Sequence, residues 1–215
     1  METDSDATSI RLCRIGDMRG LDALMARHQL SALRLAYLLT GDRAHAEDVV
    51  QDSFLQAFRS MRRFRPERPF APWLQGIVTH VARQRTRSIF RRHEVSISVL
   101  RSEEDAAPAR YTDAIPTGSE AADPAQQAES AETRSTLLQA LGALTQKQRE
   151  AVVLRYYADC NDRELASILG CSSGTARQRV HAGVAALARV IRERYAWLLT
   201  EMSSGNAAKG EAHHA

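Results

Sequence analysis

The chain is poor in the residues that build disulfide frameworks, metal centres and membrane spans. It has three cysteines among 215 residues, Cys13, Cys160 and Cys171, and none of them form a Cys-x-x-Cys pair. An odd number without paired spacing argues against a disulfide framework and a zinc site, so we expect small buried hydrophobic side chains. Aromatic residues make up only 6%. No apolar run approaches the roughly 20 residues that span a bilayer.

Motifs for catalysis are also missing. The sequence contains no glycine-rich phosphate loop, no metal-spaced set of His, Cys and Asp, and no nucleophile motif. We therefore predict a protein that is not an enzyme and that binds no metal and no cofactor. The acidic, polar segment 1–9 differs from a secretory signal peptide, which indicates a cytoplasmic protein without membrane insertion.

The charge is distributed unevenly along the chain. Residues 11–100 contain 16 arginines against 8 acidic residues, and residues 137–195 contain 9 basic against 5 acidic residues. Between them, residues 101–136 carry 3 basic and 8 acidic residues. Two basic blocks separated by an acidic one suggest two modules that face a polyanion.

The apolar pattern in both basic blocks has helical spacing, and no alternating Val/Ile/Thr-rich run competes with it. The intervening stretch is rich in Ala, Ser, Asp, Glu and Pro and lacks periodicity, which is typical of a flexible linker. We therefore predict an all-α fold with two small helical domains. The expected divisions are a disordered N-terminus (1–9), the first domain (10–100), a flexible acidic linker (101–134), the second domain (135–195) and a C-terminal tail (196–215).

The strongest local motif is a helix-turn-helix between residues 161 and 191. Asn161 and Glu164 have capping-box spacing, Gly170 lies where a left-handed C-cap is needed, and Ser172 can cap the second helix. The outward face of that helix carries side chains that bind bases and phosphates: Ser172, Ser173, Thr175, Arg177, Gln178, Arg179 and His181. We favour DNA reading over the alternative, a solvated polar face on an ordinary helical hairpin.

An acidic face is predicted on the helix that begins near Asp42. Opposite its apolar side lie Glu47, Asp48, Gln51, Asp52 and Gln56. Nucleic acid would be repelled there, so a basic protein surface is one natural partner. A helix-dipole preference for acids near the N-terminus explains the pattern equally well. The residues by themselves leave both interpretations open.

Ten arginines and one acid, Glu67, lie between Arg59 and Arg92. This density favours phosphate contacts. The candidate nucleic-acid residues of this block are Arg62, Arg63, Arg65, Arg68, Trp73, His80, Arg83 and Arg87. Phe64, Phe70 and Trp73 could stack on unpaired bases, although core packing is the more common role for Phe70 and Trp73.

These motifs together resemble a known family. Residues 46–59 and 70–77 are similar to domain 2 of bacterial sigma factors of the extracytoplasmic-function group, and residues 141–156, 164–170 and 174–179 are similar to their domain 4. The resemblance implies that the Glu47–Gln56 face, with Leu55, docks on the β′ clamp helices of core RNA polymerase.

The resemblance also implies the promoter contacts. The loop 62–72 would hold a base flipped from the minus-ten element, which the following helix faces with His80, Arg83 and Arg87. Domain 4 would read the minus-thirty-five element and touch the β flap. Members of this group are often held inactive by an anti-sigma protein, so we expect one here.

The sequence departs from the family pattern at two places. His80 stands where the family usually has Asn, and Ala182-Gly183-Val184 replaces a continuation of basic residues. Gly183 is also expected to weaken its helix by roughly 1 kcal/mol relative to Ala. The rival interpretations are a stand-alone helix-turn-helix regulator, which leaves the acidic helix unexplained, and a nuclease, which would need a carboxylate or metal cluster.

Overall fold

The computed structural model describes the backbone of residues 2–94 and 124–210. These ranges contain helices and no strand, which confirms the predicted all-α class for this part of the chain. The α-helices are α1 Glu2–Arg14, α2 Met18–Thr40, α3 Arg43–Ser60, α4 Phe70–Glu94, α5 Pro124–Gly142, α6 Gln146–Tyr156, α7 Asp162–Leu169 and α8 Ser173–Gly210. A 3-10 turn, Met61–Arg63, follows α3. None of the helices in the described ranges is long and apolar enough to cross a bilayer.

Helices α2, α3 and α4 form the centre of the first unit, and local signals set their ends. Gly41 closes α2 with a φ of 77°, the left-handed conformation expected of it. The Asp42 side chain caps α3 by accepting a hydrogen bond from the His45 amide at 2.7 Å. Each helix then turns its apolar side inward, with Leu35, Phe54 and Val78 almost fully buried.

The N-terminal segment differs from the disorder predicted for residues 1–9, because α1 begins at Glu2 and packs on α2. Asp6 is only 8% exposed. Its carboxylate accepts from Arg27 Nε at 2.8 Å and lies 2.9 Å from His28 Nε2. A Cβ at Gly20 would stand 2.3 Å from the Ser9 carbonyl oxygen, so this glycine permits the close approach. Tertiary packing, which the local pattern does not contain, orders the segment.

The second unit contains α5 to α8, and its helix-turn-helix has a small core of its own around Leu154, Leu165 and Leu169. Of the linker predicted over 101–134, residues 101–123 lie outside the described residues, whereas 124–134 belong to α5. Of the tail expected over 196–215, residues 196–210 belong to α8, and residues 211–215 lie outside the described residues.

The two units pack against each other. Helix α6 contacts α2, and α7 contacts α4. The core of the first unit includes four side chains from the second unit, namely Leu141, Leu144, Val152 and Val153. The separation into two helical modules is therefore visible along the sequence, but the larger apolar core contains side chains from both modules. This packing places the helix-turn-helix next to the start of α4.

Candidate functional site

The acidic face of α3 is directed away from the core. Ala46, Val50, Phe54 and Ala57 are buried on the opposite side, as the spacing predicted. On the outer side the Asp48 and Asp52 side chains are 55% and 48% exposed. Leu55 is 43% exposed beside them. The outer-face residues Glu47, Asp48, Gln51, Asp52, Leu55 and Gln56 are exposed, apart from Asp52, which is half-buried. An apolar side chain among exposed acids is suited to a protein partner.

Arg85 of α4 reaches across to this acidic face. Its Nη1 donates to Asp48 Oδ2 at 2.8 Å, while its Nε and Nη2 donate to Asp52 Oδ2 at 2.9 and 2.5 Å. The hydrogen bond to Asp52 raises the pKa of Arg85. The sequence places Arg85 among the arginines that favour nucleic acid, but the structure places its guanidinium on the carboxylates of α3.

The basic loop between α3 and α4 is anchored by aromatic rings. Arg62, Arg63, Arg65 and Arg68 are all exposed on it. Phe64 and Phe70 are buried, with ring centroids 5.9 Å apart. The Trp73 ring lies 4.8 Å from Phe64 and 5.7 Å from Phe70. Core packing is thus confirmed for Phe70, and Phe64 cannot stack on a base because it is covered. Trp73 packs on the cluster and is only partly buried.

Helix α4 carries the three residues predicted to share a promoter-facing side. His80 and Arg87 are exposed there, and the Gln84 amide nitrogen lies 2.9 Å from His80 Nε2. Arg83 has a different environment, since its guanidinium binds Glu150 of α6. A cleft of about 770 Å³ separates the start of α4 from α7. Arg68, Trp73 and His80 line one wall of it, and Arg163 and Ser167 line the other.

The helix-turn-helix has the predicted local geometry. Asn161 and Glu164 form a reciprocal capping box, and Gly170 adopts a φ of 63°. The Ser172 hydroxyl accepts from the Thr175 amide at 3.1 Å. These three devices confirm the predicted boundaries of α7 and the start of α8.

The outward face of α8 presents most of the predicted DNA-reading side chains. Ser172, Arg177, Gln178 and His181 are exposed, whereas Ser173, Thr175 and Arg179 are half-buried. Arg177 Nε lies 3.4 Å from Asp162 Oδ2, and Arg155 binds the other oxygen of the same carboxylate. Asp162 therefore connects α8 to α6 and α7.

Gly183 has a packing role that the sequence alone did not reveal. A Cβ at this position would stand 2.5 Å from Val152 Cγ2 and 3.2 Å from the Gln148 carbonyl oxygen. The glycine therefore allows α8 to approach α6 closely. The contact explains the glycine in the unusual Ala182-Gly183-Val184 stretch, whereas Ala182 and Val184 are exposed on either side.

Two buried charged residues, Arg149 and Glu150, were missed as functional candidates. Arg149 is 5% exposed and donates to the carbonyls of Leu141 at 3.0 Å, Gly142 at 3.3 Å and Leu144 at 3.1 Å. It thereby satisfies carbonyls at the C-terminal end of α5. The sequence contains one indication that Arg149 is buried. It precedes the apolar Val152 and Val153 by three and four residues, which places all three on the same side of the helix.

The cysteines and the metal-binding residue types complete the description. Cys13 and Cys160 are buried and Cys171 is partly buried, and all three are free thiols. Burial raises the pKa of Cys160 to about 11. Within residues 6–87, 133–193 and 196, where side chains are described, no group of three or more His, Cys, Asp or Glu is arranged to hold a metal ion.

Comparison with known proteins identifies both units. Residues 24–92 match the family model Sigma-70 region 2, and residues 134–187 match Sigma-70, region 4. The chain is 33% identical to RNA polymerase sigma factor CarQ of Myxococcus xanthus over 84% of this chain and 94% of CarQ. It is 31% identical to ECF RNA polymerase sigma factor SigE of Mycolicibacterium smegmatis over 77% of this chain and 59% of SigE.

A solved structure has the same fold. The sigma factor RpoE, in complex with the anti-sigma factor NepR from Bartonella quintana, matches with a TM-score of 0.57 and 25% identity. The match covers 76% of this chain and 91% of that chain. The two family-model ranges include the α3 acidic face, the arginine-rich loop, most of α4 and most of the helix-turn-helix.

Proposed function

The chain belongs to the extracytoplasmic-function group of the sigma-70 family of RNA polymerase sigma factors, and we propose that its α3 acidic face docks on core RNA polymerase. The α3 face is the observation that carries the proposal, because its acids and Leu55 point to solvent while the other side of the helix is buried. A basic surface such as the β′ clamp helices complements this face. The chain then acts in the cytoplasm as an initiation factor, with no reaction of its own.

Promoter DNA is the second proposed partner. The exposed arginines of the loop and the exposed His80 and Arg87 of α4 suit the minus-ten element, whose phosphates attract cations. Trp73 is partly exposed at the cleft, where an unpaired base can reach its ring. Arg177 and Gln178 on the outer face of α8 suit the base edges of the minus-thirty-five element. Binding energy at unpaired bases offsets their unstacking, a few kcal/mol per base.

An anti-sigma protein is the third proposed partner. The resemblance to a sigma factor solved with the anti-sigma factor NepR supports it. The test is purification of the chain from its native cell, with identification of the proteins that accompany it. Recovery of polymerase together with a small regulator supports the assignment, and recovery of polymerase alone under inducing and non-inducing conditions contradicts it.

The docking face is tested by charge reversal, with the variant Asp48→Arg/Asp52→Arg. Both side chains are about half exposed, so the change removes two negative charges from the α3 face and adds two positive ones without entering the core. Like charges across an interface cost several kcal/mol, so we expect affinity for core polymerase to fall by at least about tenfold. Run-off transcription from a promoter fragment should fall in parallel.

A matched control variant changes the net charge of the chain by the same amount at positions outside the α3 face. Asp22→Arg/Glu193→Arg alters two exposed acids, on α2 and α8, by the same four charges. We expect it to bind core polymerase as the unchanged chain does. Equal affinity of both double variants would refute docking through α3. A chain that binds promoter duplex but adds nothing to core polymerase would instead be the stand-alone regulator.

A further inference from the structure

A largely buried ion pair joins the two units, between Arg83 of α4 and Glu150 of α6. Arg83 Nε donates to both Glu150 oxygens, at 3.1 and 3.2 Å, and Nη2 donates to Oε2 at 2.6 Å. The two side chains are 19% and 7% exposed. The hydrogen bond to Glu150 raises the pKa of Arg83, so the guanidinium stays charged. A fork-to-carboxylate geometry of this kind is strong and specific.

The pair lies within a larger contact between the units. Gln146 Nε2 donates to Glu150 Oε1 at 3.0 Å and holds the carboxylate toward Arg83. The neighbouring Arg149 donates from Nη1 to the Leu39 carbonyl of α2 at 3.3 Å. Val152 and Val153 of α6 complete the contact by packing into the core of the first unit. Glu150 is thus positioned by its own helix on one side of a packed surface.

The ion pair with Glu150 makes Arg83 unavailable for a contact with DNA. Arg83 lies between His80 and Arg87 on the side of α4 proposed to face the minus-ten element, and both of these neighbours are exposed. A DNA phosphate cannot take the place of Glu150 while the carboxylate remains there, because the two anions would repel each other. Helix α7 also faces Trp73 and His80 across the cleft. The packed arrangement therefore leaves the proposed promoter surface incomplete.

We propose that Arg83–Glu150 is an interdomain latch that holds the chain in a closed form, and that opening transfers Arg83 from Glu150 to a DNA phosphate. Core polymerase and promoter then favour the open form, because they bind α3, α4 and α8 best when the units separate. The identity of the phosphate ligand depends on the proposed function, whereas the latch itself depends only on the two side chains and the packing around them.

The first test removes the charge of Glu150 and keeps its shape. Glu150→Gln should shift the free chain toward the open form, which small-angle X-ray scattering detects as a larger radius of gyration. Its affinity for a 20-nucleotide oligothymidine should rise by about tenfold if the unchanged chain is roughly nine-tenths closed. The salt dependence of binding should stay the same, because the unchanged chain also binds DNA in its open form and makes the same phosphate contacts there.

The second test separates opening from DNA contact. Arg83→Gln/Glu150→Gln should have the enlarged radius of Glu150→Gln, a smaller gain in affinity, and a salt slope that is shallower by about 0.7, the contribution of one lost contact to a single-strand phosphate. Glu193→Gln removes one exposed negative charge on α8, outside the pair, and should match the unchanged chain in every measurement. If Glu150→Gln keeps the original radius and affinity, the latch is refuted. If it expands but binds DNA no better than the double variant, the transfer of Arg83 to phosphate is refuted.

A charge swap guards against simple loss of folding. Arg83→Glu/Glu150→Arg restores an ion pair with reversed polarity, so we expect the closed radius to return while affinity for the oligonucleotide falls. A swap variant that remains expanded would show that the ion pair does not hold the units together. Failure of the proposed function can be distinguished from failure of the latch. In that case no variant would support run-off transcription with core polymerase, while the differences in radius of gyration between the variants would remain.

Discussion

Replacing Gly183 by alanine tests whether α8 is pressed against α6. The added methyl would stand 2.5 Å from Val152 Cγ2 and 3.2 Å from the Gln148 carbonyl oxygen. Val152 is 6% exposed and β-branched, so it has few alternative rotamers to adopt. The carbonyl belongs to the backbone of α6 and cannot rotate away. Helix α8 must therefore shift outward, which loosens the core of the second unit.

The magnitude follows from two opposing effects. Overpacking of a dense core costs about 1–3 kcal/mol. Alanine in place of glycine in a helix gains back at most about 1 kcal/mol. We expect Gly183→Ala to lower the free energy of unfolding by about 1–2 kcal/mol, where helix propensity alone predicts an increase.

Circular dichroism during urea denaturation measures this free energy, and Gly174→Ala is the matched control on the same helix. A Cβ at Gly174 would meet only Ser172 Oγ at 3.9 Å, so that variant should be as stable as the unchanged chain or more stable by up to about 1 kcal/mol. A Gly183→Ala chain as stable as the unchanged one would refute the close-approach explanation.

Two further predictions concern buried groups. Arg149→Met should destabilise the fold by roughly 3 kcal/mol, because four carbonyls on α5, its following turn and α2 lose a charged donor; thermal melting checks this, and an unchanged melting temperature would contradict it. Cys160 should resist iodoacetamide at pH 8 far more than the partly buried Cys171, since burial raises the Cys160 pKa to about 11. The neutral Cys160 thiol favours the folded chain fully below the ordinary thiol pKa of 9.0, and this contribution is lost as the pH rises toward about 11. Peptide mass spectrometry after timed labelling measures the reactivity, and equal rates for the two cysteines would contradict the burial argument.

Arg83 and Arg85 of α4 belong to the same arginine-rich stretch of the sequence but have different partners in the structure. Arg83 and Arg85 are two positions apart, which places them on different sides of a helix. Arg83 meets Glu150 of α6, and Arg85 meets Asp48 and Asp52 of α3. Both are paired with carboxylates, although their density along the sequence favours phosphate. Among the arginines of this region whose side chains are described, the exposed ones are instead Arg59, those of the loop and Arg87.

The pairing of Arg85 also refines the proposed docking face. Two of its acids already have an intramolecular cation, so a basic partner must share them or displace Arg85. Asp48 and Asp52 are about half exposed, so solvent weakens their ion pairs with Arg85. Replacement of Arg85 by a cation of the partner therefore costs little free energy. The Arg83–Glu150 pair is largely buried, and its exchange requires the two units to separate.

The sequence by itself determined the features that depend on near neighbours. The capping box at Asn161 and the turn at Gly170 each need only a few adjacent residues, so their patterns predicted them correctly. The end of α2 at Gly41 depends on near neighbours in the same way. The buried and exposed sides of α3 follow in the same way from helical spacing. The family is also evident at this level, because its motifs are local and retain their order.

Only the tertiary structure decided which side chains meet across long separations. The order of residues 2–9 depends on the fit of α1 against Gly20, and the role of Gly183 depends on the distance between α6 and α8. The partner of Arg83 is 67 positions away. Such contacts arise from the packing of whole helices, and a local pattern carries no information about which distant helix will lie opposite.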